Sequence, residues 1–266
     1  MAKYNISLEK HNWILLYDGT LAGFYSCVHM CITKKTEPIC IWSPEKEQTS
    51  FFFTQWIHTE EKKAYKVRKS IQKNMGTIAL ELIESVFYSC LEEKEKKLLL
   101  FICEGYRQGP LLLKALDHPL VYPLYTAQRH LYREVHNYTG FVRFEEIILE
   151  PEGKTLLVST IEPKNFVLPF LLDHFKNRFE EENWLIFDKP HQMALCYEKG
   201  VSTLVEMERL EITPGKEEED WQQLWKRFYN TLSIQERKNP TARRNHMPKR
   251  YWSHMTEVQT EGTTSG

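Results

Sequence analysis

At Gly140 the chain changes its hydrophobic period, and that change constrains the fold more than any other feature. Residues 59–138 read as helical throughout. Gly76 divides one helix from the next, and Ile78, Leu82, Ile83, Val86 and Phe87 form a single stripe. Beyond Gly140 the period is two. FVRFEEIILE and TLLVSTIE flank Pro151-Glu152-Gly153, a hairpin signature. WLIFD, MALCYE and STLVEM are three further short strands, with turns at Lys189-Pro190 and Lys199-Gly200. Phe166 to Phe179 is an amphipathic helix with Pro169 in its first turn, where proline is tolerated. Strands gathered together, helices segregated from them and no βαβ alternation predict an α+β fold with an antiparallel sheet.

The residues before this region add a strand at Trp13 to Tyr17 that ends in Asp18-Gly19. A helix then begins, capped by Thr20 or Asp18 and reaching about Thr33, because Leu21, Phe24, Val28 and Ile32 recur at helical spacing. Ser50 to Trp56 has strand character without an obvious partner. Thr59, followed by Glu60 and Glu61, starts a helix with acids at its positive end. Glu92 to Tyr106 is another helix, stopping at Gly109-Pro110, and Pro119 to Tyr138 a longer one. Residues 1–258 are therefore expected to form one α+β domain with a helical insertion of four or five helices at about 59–138. Trp221, Leu224, Trp225 and Phe228 mark a last amphipathic helix leading into a basic segment at 235–257, and 259–266 form a polar, disordered tail.

That basic segment is the strongest departure from average composition. Arg237, Lys238, Arg243, Arg244, Lys249 and Arg250 occur with no acidic residue between Arg237 and Arg250. The formal net charge of the whole chain is only −1, so a basic site has to come from uneven distribution. Such a run neutralises phosphates and releases counterions. Tyr251 and Trp252 can stack on unpaired bases, and Asn239 and His246 supply neutral hydrogen bonders. The expected nucleic-acid contacts are Arg237, Asn239, Arg243, Arg244, His246, Lys249, Arg250, Tyr251 and Trp252. The competing reading is a solvated, charged helix pair that folds back on the body with Trp252 as anchor.

Other groupings carry less. Cys27 and Cys31 are four apart on a helix, but a C-x3-C-x2-C iron–sulfur triad needs a cysteine where Lys34 stands. Small thiols packed on an apolar face is the plainer reading, and no metal or cofactor is expected. Six cysteines without framework spacing read as reduced thiols in a cytoplasmic protein. The N-terminus has no apolar signal core, and no apolar stretch approaches the ~20 residues of a membrane span. Arg129, His130, Arg133 and His136 form a second basic face that is either solvated or paired with Glu134. Asp18, Glu162 and His174 are acid–base candidates of low weight, since nothing in their spacing brings them together. Phosphate-loop, dinucleotide, zincin and hydrolase motifs are all missing.

Three blocks carry a family resemblance: YDGTLAGFYSCV (Tyr17 to Val28), GFVRFEEI continuing through IEPKNFVLPFLLDHFKNRFEEENWLIFD (to Asp188), and RKNPTARRNHMPKRYWSHMTE (Arg237 to Glu257). In these the chain resembles a prokaryotic family described only as DNA-metabolism proteins, a domain of unknown function. Members of that family are typically encoded beside a radical-SAM protein of DNA modification or repair, and many are fused to a uracil-DNA-glycosylase-like domain. The resemblance implies a DNA role and a radical-SAM partner, and it supplies no catalytic residues. Two other readings stay open: a module that docks on the partner enzyme without touching DNA, and an enzyme acting on a base or nucleotide.

Overall fold

The computed structural model describes residues 8–43, 52–149, 154–198, 200–208 and 210. The chain divides into two compact units, Met1–Tyr132 and Arg133–Gly266.

The first unit is built around helix α1 (Leu21–Lys34) and strand β2 (Trp13–Leu16). Ile14 and Leu15 of β2, and Phe24, Cys27, Val28 and Cys31 of α1, are fully or almost fully buried. β2 is the centre of a three-stranded parallel sheet, flanked by β4 (Cys40–Trp42) and β5 (Phe53–Trp56). The strand character of Ser50 to Trp56 thus finds its partner in β2, with Trp13 opposite Phe53 and Leu16 opposite Trp56. Two short strands, β1 (Glu9–Lys10) and β3 (Thr36–Glu37), pair parallel beside it. Four helices follow: α2 (Glu61–Met75), α3 (Thr77–Phe87), α4 (Lys94–Gln108) and α5 (Tyr122–Phe141), with a 3-10 helix at Gly109–Lys114 before α5. The expected stripe on α3 holds at Leu82, Ile83, Val86 and Phe87 but not at Ile78, which is 65% exposed in the first turn.

One carboxylate fixes where α2 begins. Asp18 Oδ1 accepts from the Thr20 amide (3.0 Å) and the Thr20 hydroxyl (2.7 Å), and Oδ2 accepts from the Thr59 hydroxyl (2.6 Å). Thr20, wholly buried, is the N-cap of α1, its hydroxyl accepting from the Gly23 amide at 2.9 Å. Ser26 of α1 then accepts the Glu60 amide (3.0 Å) and donates to the Ala22 carbonyl (2.9 Å). The start of α2 is therefore hung from α1 through Thr59 and Glu60. Thr59 does not cap α2. Its hydroxyl is committed to Asp18, and Glu60 stands at the N-cap without a side-chain cap bond.

In the second unit five strands lie in the order β10-β9-β8-β7-β6: β6 (Glu145–Leu149), β7 (Lys154–Ile161), β8 (Asn183–Asp188), β9 (Met193–Glu198) and β10 (Val201–Glu206). The expected hairpin is β6–β7, and β8–β9–β10 form an antiparallel meander. The α+β class stands, but the sheet is mixed rather than antiparallel, because β7 and β8 pair parallel from Leu156↔Asn183 to Ile161↔Asp188. Helix α6 (Leu168–Arg178) makes the crossover that a parallel pair requires. β2–α1–β4 is a second such unit, so βαβ connections are present where none were expected. Trp184 packs with Phe144, Phe175 and Tyr197 on one side of the sheet. Leu185 and Phe187, one residue out of phase, join Leu156, Val158, Ala194 and Cys196 in a second cluster.

Gly23 supplies the clearance the Asp18 arrangement needs. A β-carbon there would fall on Asp18 Oδ1 and 2.9 Å from Thr59 Oγ1. At Gly105 the added carbon would meet only the far end of the Met75 side chain. Gly23→Ala should cost about 2 kcal/mol or more of unfolding free energy, and Gly105→Ala clearly less, because a thioether can swing aside. Urea denaturation of the two variants measures this, and equal losses would mean the Asp18 arrangement is not tight.

Candidate nucleic-acid interface

Helix α2 has the sequence EKKAYKVRKSIQKNM, six cations against a single carboxylate. Its buried residues are Ala64, Val67, Ile71 and Met75. Lys62, Lys66, Lys69 and Lys73 follow a four-three-four spacing on the opposite side. At 100° per residue they fall within an arc of roughly 60°, centred away from the buried stripe. All four are exposed, and among the described residues none forms an ion pair with a carboxylate. The other two cations are engaged: Lys63 pairs with Glu60, and Arg68 grips both oxygens of Glu84 at 2.6 and 3.3 Å. A groove of about 650 Å³ runs along the lysine row, lined among the described residues by Lys62, Tyr65, Lys66, Lys69, Ser70, Lys73 and Asn74. The Tyr65 ring is 54% exposed, with the Lys69 ammonium 6.0 Å from its centroid. The positive field reaches α1, where burial first and then the Lys63 and Lys66 ammonium groups hold the His29 imidazole below its usual range.

A second constellation lies in the other unit, at the carboxyl ends of the parallel strands β7 and β8. Asp188 ends β8, is fully buried, and lies with both oxygens close to His191 Nδ1, at 2.8 and 2.9 Å. The His191 amide also donates to Asp188 Oδ1 at 3.3 Å, and Gln192 takes a positive φ of 52° to close the turn. Glu162, just past β7, pairs with Lys189 at 2.8 Å. On α5, Glu134 accepts the backbone amides of Lys164 and Asn165, both at 2.9 Å, and the Asn165 side-chain amide at 2.5 Å. With Nδ1 turned to the carboxylate, Nε2 is the ring atom of His191 left to take or give a proton. The plainer role of the pair is to brace the β8–β9 turn.

The acid–base candidates read from the sequence do not assemble. Asp18 spends both oxygens on Thr20 and Thr59. Glu162 pairs with Lys189, and His174 is an exposed α6 residue packed edge-on against Phe175. Arg129, His130, Arg133 and His136 are exposed on α5, and Glu134 pairs with the 164–165 amides rather than with Arg133. Cys27 and Cys31 are buried, and loss of hydration pushes both thiols up, Cys31 to about 12, so neither ionises near neutrality. Among the described residues no group of three or more His, Cys, Asp or Glu is placed to hold a metal ion, and no helix is long and apolar enough to cross a membrane. The expected contacts Arg237, Asn239, Arg243, Arg244, His246, Lys249, Arg250, Tyr251 and Trp252 lie outside the described residues, as does the amphipathic helix before them. Neither the α2 row nor the Asp188–His191 pair was anticipated from the sequence. For α2 the signal was present, as a lysine period in antiphase with Ala64, Val67, Ile71 and Met75.

A family model described as a domain of unknown function, DUF4130, matches residues 92–257. The chain belongs to this family. No curated protein and no solved structure matches it. The DUF4130 segment takes in α4, α5, the five-stranded sheet and the basic run, so it contains Asp188, His191 and the residues from Arg237 to Trp252. Asp18 and the α2 lysines precede it. Of the three blocks of resemblance, Gly140 to Asp188 and Arg237 to Glu257 fall inside the DUF4130 match, and Tyr17 to Val28 falls outside.

Within the DUF4130 unit, Asp188 permits a test of sign. Loss of hydration holds its carboxyl above the usual range, with His191 drawing it down less strongly. The folded protein then binds that proton more tightly than the unfolded chain. The resulting stabilisation is present below the ordinary carboxylate range and is lost as pH rises through the raised value. Asp188→Asn cannot ionise, so its melting temperature relative to wild type should climb as pH rises from the ordinary carboxylate range through the raised one. A difference that stays flat or falls, measured by calorimetry across that range, would mean that His191 outweighs burial. Removing the partner with His191→Ala should cost about 2 kcal/mol, since a buried carboxylate loses its hydrogen bond.

Proposed function

We propose that this chain binds nucleic acid, specifically DNA, and serves as an accessory in DNA repair or modification beside a radical-SAM partner. The observation that carries the binding half is the α2 row, four exposed lysines without carboxylate partners among the described residues, collected on one face along a groove. Cations left unpaired at the surface are what a polyanion needs, since each phosphate neutralised releases a counterion. Most lysine-rich helix faces are merely solvated. This one differs in having its other cations, Lys63 and Arg68, already matched to carboxylates while, among the described residues, the row is not. The basic run from Arg237 to Arg250 is proposed as a further contact, with Tyr251 or Trp252 stacking. The repair setting and the radical-SAM partner rest on the resemblance of the three sequence blocks alone.

Four lysine–phosphate contacts contribute a slope of about −3.6 in log affinity against log salt. Lys66→Glu with Lys69→Glu should therefore flatten the measured slope by about 2 and weaken retention on DNA sharply at moderate salt. Fluorescence anisotropy across a salt series reads this, with circular dichroism to verify that the exposed substitutions leave the fold intact. Arg243→Glu with Arg244→Glu tests the C-terminal run in the same way. If the slope and affinity survive both pairs of reversals, the DNA reading fails.

A second reading, an enzyme acting on a base or nucleotide, draws on the Asp188–His191 pair. A buried carboxylate orienting an imidazole is the arrangement of a general base, and the carboxyl ends of parallel strands are where α/β sheets place ligands. Diethyl pyrocarbonate should then acylate His191 faster than the exposed His174, and Asp188→Asn should abolish the difference. Equal rates in the wild-type protein would leave the pair a turn brace.

A further inference from the structure

We infer that the α2 face takes an unpaired nucleic-acid strand, with Lys62, Lys66, Lys69 and Lys73 tracking one backbone and Tyr65 stacking a base. This rests on the nucleic-acid reading above and names the form of the ligand. Along a helix the four lysines follow one another at about 4.5–6 Å, a single straight row of roughly 16 Å. One row suits one backbone. A duplex instead offers two backbones across a groove, and proteins that read it place side chains on base edges between them.

The chemistry of the row points the same way. Lysine holds phosphate as a point charge, whereas the bidentate fork that reads guanine in the major groove belongs to arginine. The arginine of this helix, Arg68, is spent on Glu84 through both carboxylate oxygens. Tyr65 stands within the same groove with over half its surface exposed, and the Lys69 ammonium lies over its ring at 6.0 Å from the centroid. An aromatic face among phosphate-binding cations is a stacking platform, and stacking requires a base released from its pair. Ser70 and Asn74 line the same groove and add neutral hydrogen bonders for phosphate or sugar oxygens.

The test is anisotropy on the full chain with fluorescein-labelled oligothymidylate of about 20 nucleotides, the matching duplex, and an abasic strand of the same length. The single strand should bind more tightly than either other probe. Tyr65→Ala should weaken the single strand about tenfold and leave the duplex and the abasic strand unchanged, and Tyr65→Phe should restore wild-type affinity. A face that merely gathers polyanions would hold all three probes and heparin alike and would ignore Tyr65→Ala, which overturns the inference. Equal affinity of the wild-type protein for thymidylate and abasic strands overturns it without any substitution. The two readings fail separately. Lys66→Glu with Lys69→Glu weakens binding of every probe sharply if nucleic acid is held on α2, and if that double variant binds as wild type does, the nucleic-acid site on α2 is refuted along with its strand preference.

Discussion

The carboxylate of Asp18 satisfies three donors drawn from two stretches of chain some 40 residues apart, and the first unit depends on that meeting. Two donors belong to Thr20, which makes the turn after β2 and the start of α1 a single rigid piece. The third belongs to Thr59, and with the Ser26–Glu60 bond it sets the point from which α2 departs. A carboxylate with its oxygens committed in this way contributes through hydrogen bonds to a charged acceptor, the stronger class. The Thr59 and Glu60 bonds set the point from which α2 departs, and the lysines stand opposite the stripe that α2 buries.

Much of this was legible in the residues and some was not, for separable reasons. Thr20 ahead of an apolar helical period marks a helix start at any level of reading, and α1 begins there. Pro151-Glu152-Gly153 between alternating strands marks a hairpin equally well, and β6 pairs with β7. The parallel pairing of β7 with β8 left no comparable mark. A strand such as WLIFD is apolar enough to sit in either orientation, and direction is decided by the α6 crossover, which only tertiary packing reveals. β5 had strand character without a partner for the same reason, since its neighbour β2 lies about 40 residues earlier. Ile78 matched the α3 period and yet stands in solvent, because a first-turn position is free of the packing that buries the later turns.

The candidate sites show the converse difficulty. Asp18 was an acid–base candidate of low weight beside its plainer reading as a turn and cap residue, and its oxygens are committed to Thr20 and Thr59. Asp188 and His191 were not singled out in the sequence, and the burial of Asp188 with its bonds to His191 is what makes the pair notable. The α2 lysines escaped attention because a net charge near zero hides local imbalance. What distinguishes them is relational, the lack of an ion pair with any carboxylate among the described residues, and a linear string of residues does not display that.

The parallel seam between β7 and β8 also bears on how the DUF4130 unit is assembled. On one side of it stands a hairpin and on the other a meander, each pairing strands that are near neighbours in the chain. The seam joins strands separated by the whole of α6, so its closure entropy falls due before any of its bonds can form. Such a sheet acquires its halves early and its middle late, and until the crossover helix docks, the edges of β7 and β8 stand open to each other and to the edges of other chains.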